Sequence, residues 1–298
     1  MNRSLGMKNL IAAGIDRLKG ADHLIRRTGF RNAPVIAVAA QKGGVGKTTT
    51  TVNLGCALAA GDTGKKVLII DIDPQGHVSS SLRDAMRMGN TTLSQVLTSE
   101  KPMDLMQCVV NTTIDGLSIT PPDKQLAETD SILASRVGRE YILQAALVNA
   151  RSHFDFILID CPPNLGNLTL NALLAADQVL IPCDMSILAF EGVADLLSTV
   201  STVNARLRHP LGVLGILRTR VDGRTRHINE AIGGALEANY GELLLNASIP
   251  INSALAKAQA AGQSIFQFQP SSRGAKAYTA LRDELLDRMP KSLAAAAS

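Results

Sequence analysis

The 298-residue sequence predicts an α/β fold, in which helices cover both faces of a doubly wound, mostly parallel β-sheet. Three observations predict this fold. Short, nearly continuous apolar runs alternate with longer segments of helical periodicity, which is typical of buried parallel strands. A glycine-rich loop separates the first apolar run from the first helical segment. Aspartates close two later runs, at the end of the strand where ligands bind in open α/β sheets.

Seven strand-like runs and seven helical segments follow one another from Val35 onward. Strands are expected at residues 35–40, 67–71, 117–120, 155–160, 178–183, 212–217 and 243–249. Helices are expected at residues 47–60, 139–152, 167–175, 186–207, 226–239, 252–260 and 272–288. Residues 84–135 have the weakest pattern, which predicts short helices and loops around Pro121 and Pro122.

The sequence divides into three stretches of unequal size. Residues 34–290 form one large domain, because a chain with 46% hydrophobic residues can bury a substantial core. An alanine-rich tail, residues 291–298, follows it. Residues 1–33 form a basic extension with seven Lys/Arg against two Asp, although the whole chain carries only +4. Its apolar residues recur at helical spacing, so an amphipathic helix packed on the domain and a basic binding arm are both open.

Composition argues against secretion, membrane insertion and thiol chemistry. No apolar run approaches the roughly 20 residues of a membrane span, and charged residues interrupt the N-terminal segment where a secretory signal would be apolar. We therefore expect a cytoplasmic protein. The four cysteines, Cys56, Cys108, Cys161 and Cys183, form no CxxC pair, so neither disulfides nor a zinc site are expected.

The decapeptide QKGGVGKTTT, from Gln41 to Thr50, is the most specific motif in the chain. It follows the first predicted strand and opens the first predicted helix, as a phosphate-binding loop requires. Glycines let backbone N–H groups surround phosphates, a lysine reaches the β- and γ-phosphate oxygens, and a hydroxyl binds Mg²⁺. Gln41 stands where the common loop GxxxxGK[ST] has glycine, and a second lysine, Lys42, precedes two glycines. The sequence therefore predicts a deviant P-loop with two lysines that binds a nucleoside triphosphate.

Two further motifs place carboxylates at the ends of predicted strands. Asp71 and Asp73 lie in DIDPQG after one strand, and Asp160 lies in DCPP after another. Beside a P-loop, one such aspartate can hold Mg²⁺ through a water, and another can orient the water that attacks the γ-phosphate. Aspartates also commonly cap loops and helices. Three of them at strand ends in this order favour the catalytic interpretation.

The motifs KGGVGKTTT, DIDPQG and IDCPPNLGNLTLNAL, with the later VDGRT and GAKAY, resemble the ParA family of DNA-partitioning ATPases, within the ParA/MinD group of deviant P-loop proteins. The resemblance runs from about Val35 to Leu286. It implies an ATPase that uses ATP and Mg²⁺ and forms a homodimer, in which two copies face each other across two ATP molecules. Residues 73–79 and 161–167 would be the switch segments that sense the γ-phosphate.

The resemblance also implies roles for single residues at matching positions. Lys42 would cross to the partner's phosphates, like an arginine finger supplied in trans, while Lys47 serves its own nucleotide and Asp73 positions the attacking water. Thr48 would bind Mg²⁺, and Asp160 would hold it through a water. The nucleotide would contact Gly43, Gly44, Val45, Gly46, Lys47, Thr48 and Thr49 (the α-phosphate), with Thr219 and Pro250 lining the adenine pocket.

Arginines concentrate between residues 206 and 226, where Asp222 is the single acidic residue. Since no aromatic residues lie among them, they suit backbone phosphates rather than bases, which predicts sequence-independent, salt-sensitive binding of double-stranded DNA. Arg224 matches a family arginine used for non-specific DNA contact, whereas Ala254 stands where relatives often carry a second one. The residues assigned to DNA are Arg218, Arg220, Arg224 and Arg226. A solvated helix end with a structural ion pair is the other interpretation.

The family implies a nucleoid-associated ATPase that segregates or positions a plasmid, a chromosome or a protein cluster, activated by a ParB-type or adaptor protein. Two alternatives come from related groups. A MinD-like membrane-associated ATPase would need a C-terminal amphipathic helix, but Pro290 and the alanines after it leave too little apolar area, so no membrane partner is expected. An iron–sulfur reductase of the nitrogenase iron protein type would need cysteines that bridge a cluster between two copies, for which Cys161 is the candidate.

Overall fold

The structure of the protein is a computed structural model, which describes residues 32–60, 64–86, 89–222, 224 and 226–289. All but the last two residues of the predicted basic extension, and the whole alanine-rich tail, lie outside these residues. The domain boundaries at 34 and 290 therefore stay predictions.

Eight strands form one sheet in the described part of the chain. They are β1 (Val35–Val38), β2 (Val67–Asp71), β3 (Val110–Asn111), β4 (Leu117–Ile119), β5 (Phe156–Asp160), β6 (Gln178–Asp184), β7 (Gly212–Val221) and β8 (Leu244–Pro250). Their spatial order is β3-β4-β2-β5-β1-β6-β7-β8. Only the β3–β4 pair is antiparallel. The mostly parallel sheet and all seven predicted strands are confirmed, whereas the two-residue edge strand β3 was not predicted.

Helices connect the strands and lie on both faces of the sheet. They are α1 (Lys47–Ala59), α2 (His77–Ser81), α3 (Leu93–Thr98), α4 (Leu126–Ala134), α5 (Ile142–Ala146), α6 (Val148–His153), α7 (Asn167–Ala175), α8 (Ile187–Arg206), α9 (Arg226–Tyr240), α10 (Ser253–Ala261), α11 (Ile265–Phe268) and α12 (Arg273–Arg288). Short 3₁₀ turns occupy Arg83–Ala85, Leu105–Cys108 and Arg139–Tyr141.

The single helix predicted over residues 139–152 is wrong. A 3₁₀ turn at Arg139–Tyr141 precedes α5, and α5 and α6 are separate helices on either side of Leu147. Leu147 has φ −82° and ψ −7°, well away from the helical ψ near −42°. Leu143 and Leu147 are both fully buried, as two residues four apart on one helical face can be, so the apolar periodicity gives no sign of the break.

Two hydrophobic clusters lie on opposite faces of the sheet. Alternate residues of β1 divide between them, with Val35 in one and Ile36 in the other, because successive strand side chains point to opposite faces. Helix α1 packs with α12 on the second face, where Leu54 and Tyr278 are fully buried. Each face is therefore sealed by helices, as a parallel sheet requires.

The strand order places the carboxyl end of β1 at a topological switch point. In space, β5 and then β2 lie on one side of β1, and β6 and then β7 lie on the other, so the chain crosses from the first side to the second between β5 and β6. The loops that follow β1 and β5 and β6 leave the same edge of the sheet, since these strands are parallel. At that edge Asp71 is in register with Asp160, and Asp184 with Thr219. Ligands of open α/β sheets bind in the crevice at such a point.

Candidate functional site

The predicted P-loop runs between β1 and α1, at the switch point. Gly44 and Gly46 have φ of 76° and 92°, in the left-handed region that favours glycine. Helix α1 begins directly after Gly46 and has no acidic residue in its first turn and no side-chain cap. Its first N–H groups therefore lack a partner within the helix and face the loop, which is how helix N-termini bind phosphate.

Lys47, the first residue of α1, is buried inside this loop with 7% of its surface exposed. Its ammonium Nζ donates a hydrogen bond to the carbonyl oxygen of Lys42 at 3.1 Å. Burial lowers the pKa of Lys47, while the carboxylates of Asp160 and Asp73 act in the opposite direction. The ammonium group of Lys47 thus lies between the loop backbone and the carboxylates of Asp160 and Asp73.

Asp160, at the end of β5, is fully buried against the start of α1. Its two carboxylate oxygens accept hydrogen bonds from the hydroxyl groups of Thr48 at 2.7 Å and Thr51 at 2.9 Å. Burial raises the pKa of Asp160 to about 7, against the lowering effect of both hydroxyls and of Lys47. Thr51 was not predicted to contribute, although a hydroxyl one turn after Thr48 would face the same way.

The donor set around Asp160 fits magnesium. A threonine hydroxyl and a carboxylate are hard oxygen ligands, and Mg²⁺ in nucleotide sites usually takes one or two carboxylates and fills its other positions with water and phosphate oxygens. Among the described residues, no group of three or more His, Cys, Asp or Glu side chains could hold a metal ion unaided. Thr48 and Asp160 would therefore hold the ion together with a nucleotide.

Two more acids of the predicted motif occupy the same corner. Asp71 is buried, and its oxygens accept the backbone N–H groups of Asp73 at 3.2 Å and Val78 at 3.1 Å. Burial raises the pKa of Asp71, and the neighbouring Asp160 raises it further. Asp73 has 7% of its surface exposed and accepts the N–H of Gln75 at 3.0 Å. Asp71 thus fixes the path of the segment that carries Asp73.

Lys42 does not share the site of Lys47. Its Nζ donates to both oxygens of Asp184, at 3.1 and 3.3 Å, and to the hydroxyl of Ser186 at 2.9 Å. The Lys42 side chain stays 32% exposed. Neither Asp184 nor Ser186 was predicted. A signal was available, because Asp184 ends β6 just as Asp71 and Asp160 end their strands.

The two positions predicted to line the adenine pocket lie at the ends of β7 and β8. Thr219 is 2% exposed, and its hydroxyl donates to the carbonyl oxygen of Val45 at 2.7 Å. Pro250 lies at the end of β8, where it pairs in register with Val221. The structure therefore brings Thr219 against the P-loop itself.

The predicted DNA-binding arginines point to different partners. Arg218 donates through Nη2 to the carbonyl oxygens of Leu245 and Asn246, at 3.2 and 3.3 Å. Arg220 is exposed and donates through Nη1 to the carbonyl oxygen of Gly44 at 3.3 Å.

Arg224 forms two side-chain hydrogen bonds of 3.0 Å with Asp222 and keeps 85% of its side chain exposed. These bonds lower the pKa of Asp222. The side chain of Arg226 lies outside the described part of the structure. Arg224 thus has a largely exposed side chain, while it also forms the ion pair of the alternative interpretation.

All four cysteines are buried and free. Burial raises the pKa of Cys56, Cys108 and Cys183 to about 12, and it also raises the pKa of Cys161. The thiolate is the form that binds metals and attacks substrates. Cys161 therefore lacks the exposed, ionised thiol that a cluster shared between two copies would use. No helix in the described part of the chain is long and apolar enough to cross a membrane.

Comparison with known proteins gives consistent matches. A family model described as an AAA domain matches residues 33–213, a range that contains the P-loop and both aspartate motifs. The chain is 37% identical over 256 residues to the chromosome partitioning protein ParA of Caulobacter vibrioides, covering 85% of this chain and 94% of that protein. It is 39% identical over 257 residues to the chromosome-partitioning ATPase Soj of Thermus thermophilus, covering 86% and 97%.

A solved structure with a different description is also similar. Cobyrinic acid a,c-diamide synthase from Mycobacterium smegmatis, with bound ADP and magnesium, is 36% identical and has a TM-score of 0.71. The match covers 85% of this chain and 94% of that one. The overall fold is thus similar to that of a protein crystallised with ADP and magnesium.

Proposed function

Because the chain belongs to the ParA family of partitioning ATPases, we propose that its ATP-bound form is a homodimer that binds double-stranded DNA without sequence specificity and positions a cargo. The cargo is a plasmid, a chromosome or a protein cluster. ATP and Mg²⁺ are the cofactors, and the hydrolysis of ATP to ADP and phosphate resets the cycle.

The proposed binding of ATP and Mg²⁺ is supported by the arrangement of residues around the P-loop. The N–H groups from Gly43 to Thr49 would bind the phosphates, and Lys47 would neutralise the β- and γ-phosphate oxygens. Thr48 and Asp160 would hold Mg²⁺, which supplies charge neutralisation of the phosphates when bound. Asp73, on the segment fixed by Asp71, would orient the attacking water.

The proposal that ATP favours a dimer is supported by the position of Lys42. This observation carries the proposed function. Two lysines lie on one loop, but only Lys47 is buried within it. Lys42 is partly exposed, and its ammonium group is bound to the carboxylate of Asp184 at the end of β6 rather than to the loop. A cation in that position can reach the γ-phosphate bound by a second copy, as an arginine finger does. Since ADP lacks that phosphate, ATP would favour the dimer by this contact.

The proposed binding of DNA is supported by the positive charge and the solvent exposure of the arginine side chains. A largely exposed guanidinium such as that of Arg224 can exchange its partner Asp222 for a DNA phosphate. Arg226 follows two residues later in the sequence, and both arginines would contribute phosphate contacts on each copy. Arg218 and Arg220 already donate to backbone carbonyl groups, so their part in DNA binding would be smaller. Dimerisation would double the phosphate contacts and thereby couple DNA affinity to ATP.

An activating protein of the ParB type, or a cargo adaptor, would complete the cycle by stimulating hydrolysis. The DNA-bound dimer would then be nucleoid-associated in the cytoplasm, and the ADP form would diffuse. A MinD-like attachment to membranes remains the alternative, and liposome binding would distinguish it.

The test is duplex-DNA binding by the Asp73→Ala protein with ATP, with ADP and without nucleotide, at low and moderate salt. Blocking hydrolysis should trap the ATP state, so we expect binding with ATP alone, on any sequence, and weaker binding at higher salt. Binding that ignores the nucleotide, or no binding in any state, would contradict the proposal. Liposomes and an iron assay would then separate the two alternatives.

A further inference from the structure

We propose that Thr219 and Arg220 are positioning residues of the phosphate-binding loop. Their side chains hold two successive loop carbonyl groups and thereby turn the N–H groups of Val45 and Gly46 toward the phosphates of the nucleotide. The inference deepens the proposed function, because it rests on ATP binding at this loop.

The contacts come from neighbouring residues at the end of β7. The hydroxyl of Thr219 donates to the carbonyl oxygen of Val45 at 2.7 Å, and this bond is buried. Nη1 of Arg220 donates to the carbonyl oxygen of Gly44 at 3.3 Å. A Cβ atom added at Gly46 would just reach van der Waals contact with the Thr219 side chain, at 3.9 Å, so the strand end lies close to the loop.

Planarity of the peptide group converts these bonds into an orientation. In a trans peptide the C=O of one residue and the N–H of the next point in opposite directions. With the Gly44 carbonyl directed to Arg220, the N–H of Val45 points away from β7. With the Val45 carbonyl directed to Thr219, the N–H of Gly46 does the same. Two consecutive donors are thus set side by side, as an anion-binding concavity needs.

The backbone of Arg220 shows how both side chains reach one loop. Successive residues of a strand send their side chains to opposite faces. Arg220 has φ of 52°, in the left-handed region that non-glycine residues seldom occupy. This change of direction breaks the alternation and brings Arg220 to the side where Thr219 already contacts the loop. Among the described non-glycine residues, only Arg208 shares a positive φ.

The proposal gives both residues a role other than the one expected from the sequence. Thr219 was assigned to the adenine pocket and Arg220 to DNA. A residue that sets the direction of loop N–H groups acts on phosphate affinity, with or without an adenine ring and in the absence of DNA. Measuring phosphate affinity without adenine and without DNA therefore distinguishes the positioning role from the adenine-binding and DNA-binding roles.

The experiment measures the Kd of a fluorescent, non-hydrolysable ATP analogue with Mg²⁺, and its displacement by inorganic triphosphate, without DNA. Thr219→Val removes the hydroxyl and keeps the shape, whereas Thr219→Ser keeps the hydroxyl. Arg220→Asn removes the guanidinium and tolerates the left-handed backbone. Arg208→Asn is the matched control, since Arg208 has the same φ of 52° and is exposed outside the loop.

We expect Thr219→Val and Arg220→Asn each to weaken analogue and triphosphate binding by about tenfold, the effect of one lost hydrogen bond. Thr219→Ser and Arg208→Asn should bind both as the wild type does. A loss for the analogue with unchanged triphosphate affinity would return Thr219 to the adenine pocket and overturn the proposal.

Unchanged nucleotide affinity in Arg220→Asn would also overturn it, whether or not DNA binding weakened. If Thr219→Val does not fold, the exposed Arg220 variant decides the question alone. A wild-type protein that binds neither ligand would instead refute the proposed ATP-binding function itself.

Discussion

Lys42 donates hydrogen bonds to both carboxylate oxygens of Asp184 within a single chain, at 3.1 and 3.3 Å. The hydroxyl of Ser186 accepts a third bond from the same ammonium group and itself donates to Asp184 at 2.6 Å. If Lys42 acts on a partner's phosphates, these bonds must first be broken. The resting contact therefore opposes the dimer.

Asp184→Asn should favour the dimer. The amide cannot form an ion pair with Lys42, and a partly exposed ion pair contributes up to about 1 kcal/mol. Because each copy of the dimer would release one such pair, the ATP-dependent dimer Kd should fall by up to about 30-fold. Sedimentation of the Asp73→Ala background with ATP measures this constant. Asp195→Asn, an exposed change on helix α8, whose N-terminus Ser186 caps, serves as the control. An unchanged or weaker dimer in Asp184→Asn would show that the contact does not compete.

Lys47→Ala and Lys42→Ala should separate nucleotide binding from turnover. Lys47 is buried inside the loop, so its loss should remove most ATP affinity. Lys42 contacts no loop carbonyl, so Lys42→Ala should bind the ATP analogue normally while kcat falls by about 10³-fold or more. Titration of the analogue and steady-state phosphate release give the two values. Equal loss of affinity in both variants would place the two lysines in one site.

Asp73→Asn should keep ATP and lose hydrolysis. The amide retains an oxygen that can accept the Gln75 N–H, so the loop should keep its path. Loss of the carboxylate that orients the water should lower kcat by about 10²- to 10⁴-fold with little change in Kd. Rapid turnover by this variant would remove Asp73 from the mechanism.

The stability of the nucleotide-free protein should fall as the pH rises toward 7. Burial raises the pKa of Asp160 to about 7, whereas the unfolded carboxyl titrates near 4. Between those values the folded state binds more protons than the unfolded state, so the free energy of unfolding decreases with increasing pH.

Asp160→Asn should remove much of this slope, because the amide carries no charge to desolvate. At pH 8 without nucleotide its Tm should exceed that of the wild type, by about 2–4 °C for each kcal/mol recovered. The same variant should lose the stabilisation that ATP with Mg²⁺ gives to the wild type. Differential scanning fluorimetry from pH 5 to 8 measures both effects, and an unchanged slope would mean that Asp160 is ionised in the folded protein.

Sequence patterns predicted the parts of this protein that depend on local chemistry. The parallel strands were readable because both of their faces are buried, and the P-loop because glycine is needed where φ is positive at Gly44 and Gly46. The short edge strand β3 and the break at Leu147 depend on packing between distant segments, which periodicity does not record.

The partners of the site residues were harder to predict than the residues themselves. Asp184 lies 142 positions from Lys42, and Arg220 lies 176 from Gly44, so nothing local relates them. The arginine run shows the same limit. Composition placed Arg218, Arg220 and Arg224 together. The left-handed backbone at Arg220, which breaks the alternation of strand β7, and the turn after the strand send them to three different partners.

Asp184 and Thr219 face each other in register on neighbouring strands, and each touches one part of the P-loop. Thr219 holds Val45 through a buried bond to the backbone, which no phosphate can replace. Asp184 holds Lys42 through a partly exposed ion pair, for which a phosphate is an equivalent partner. The neighbouring strands β6 and β7 therefore hold the loop by two kinds of contact. The bond from Thr219 is permanent, whereas the ion pair with Asp184 can be exchanged. Lys42 can therefore leave Asp184 for a phosphate of another molecule while the part of the loop that would bind the protein's own nucleotide keeps its conformation.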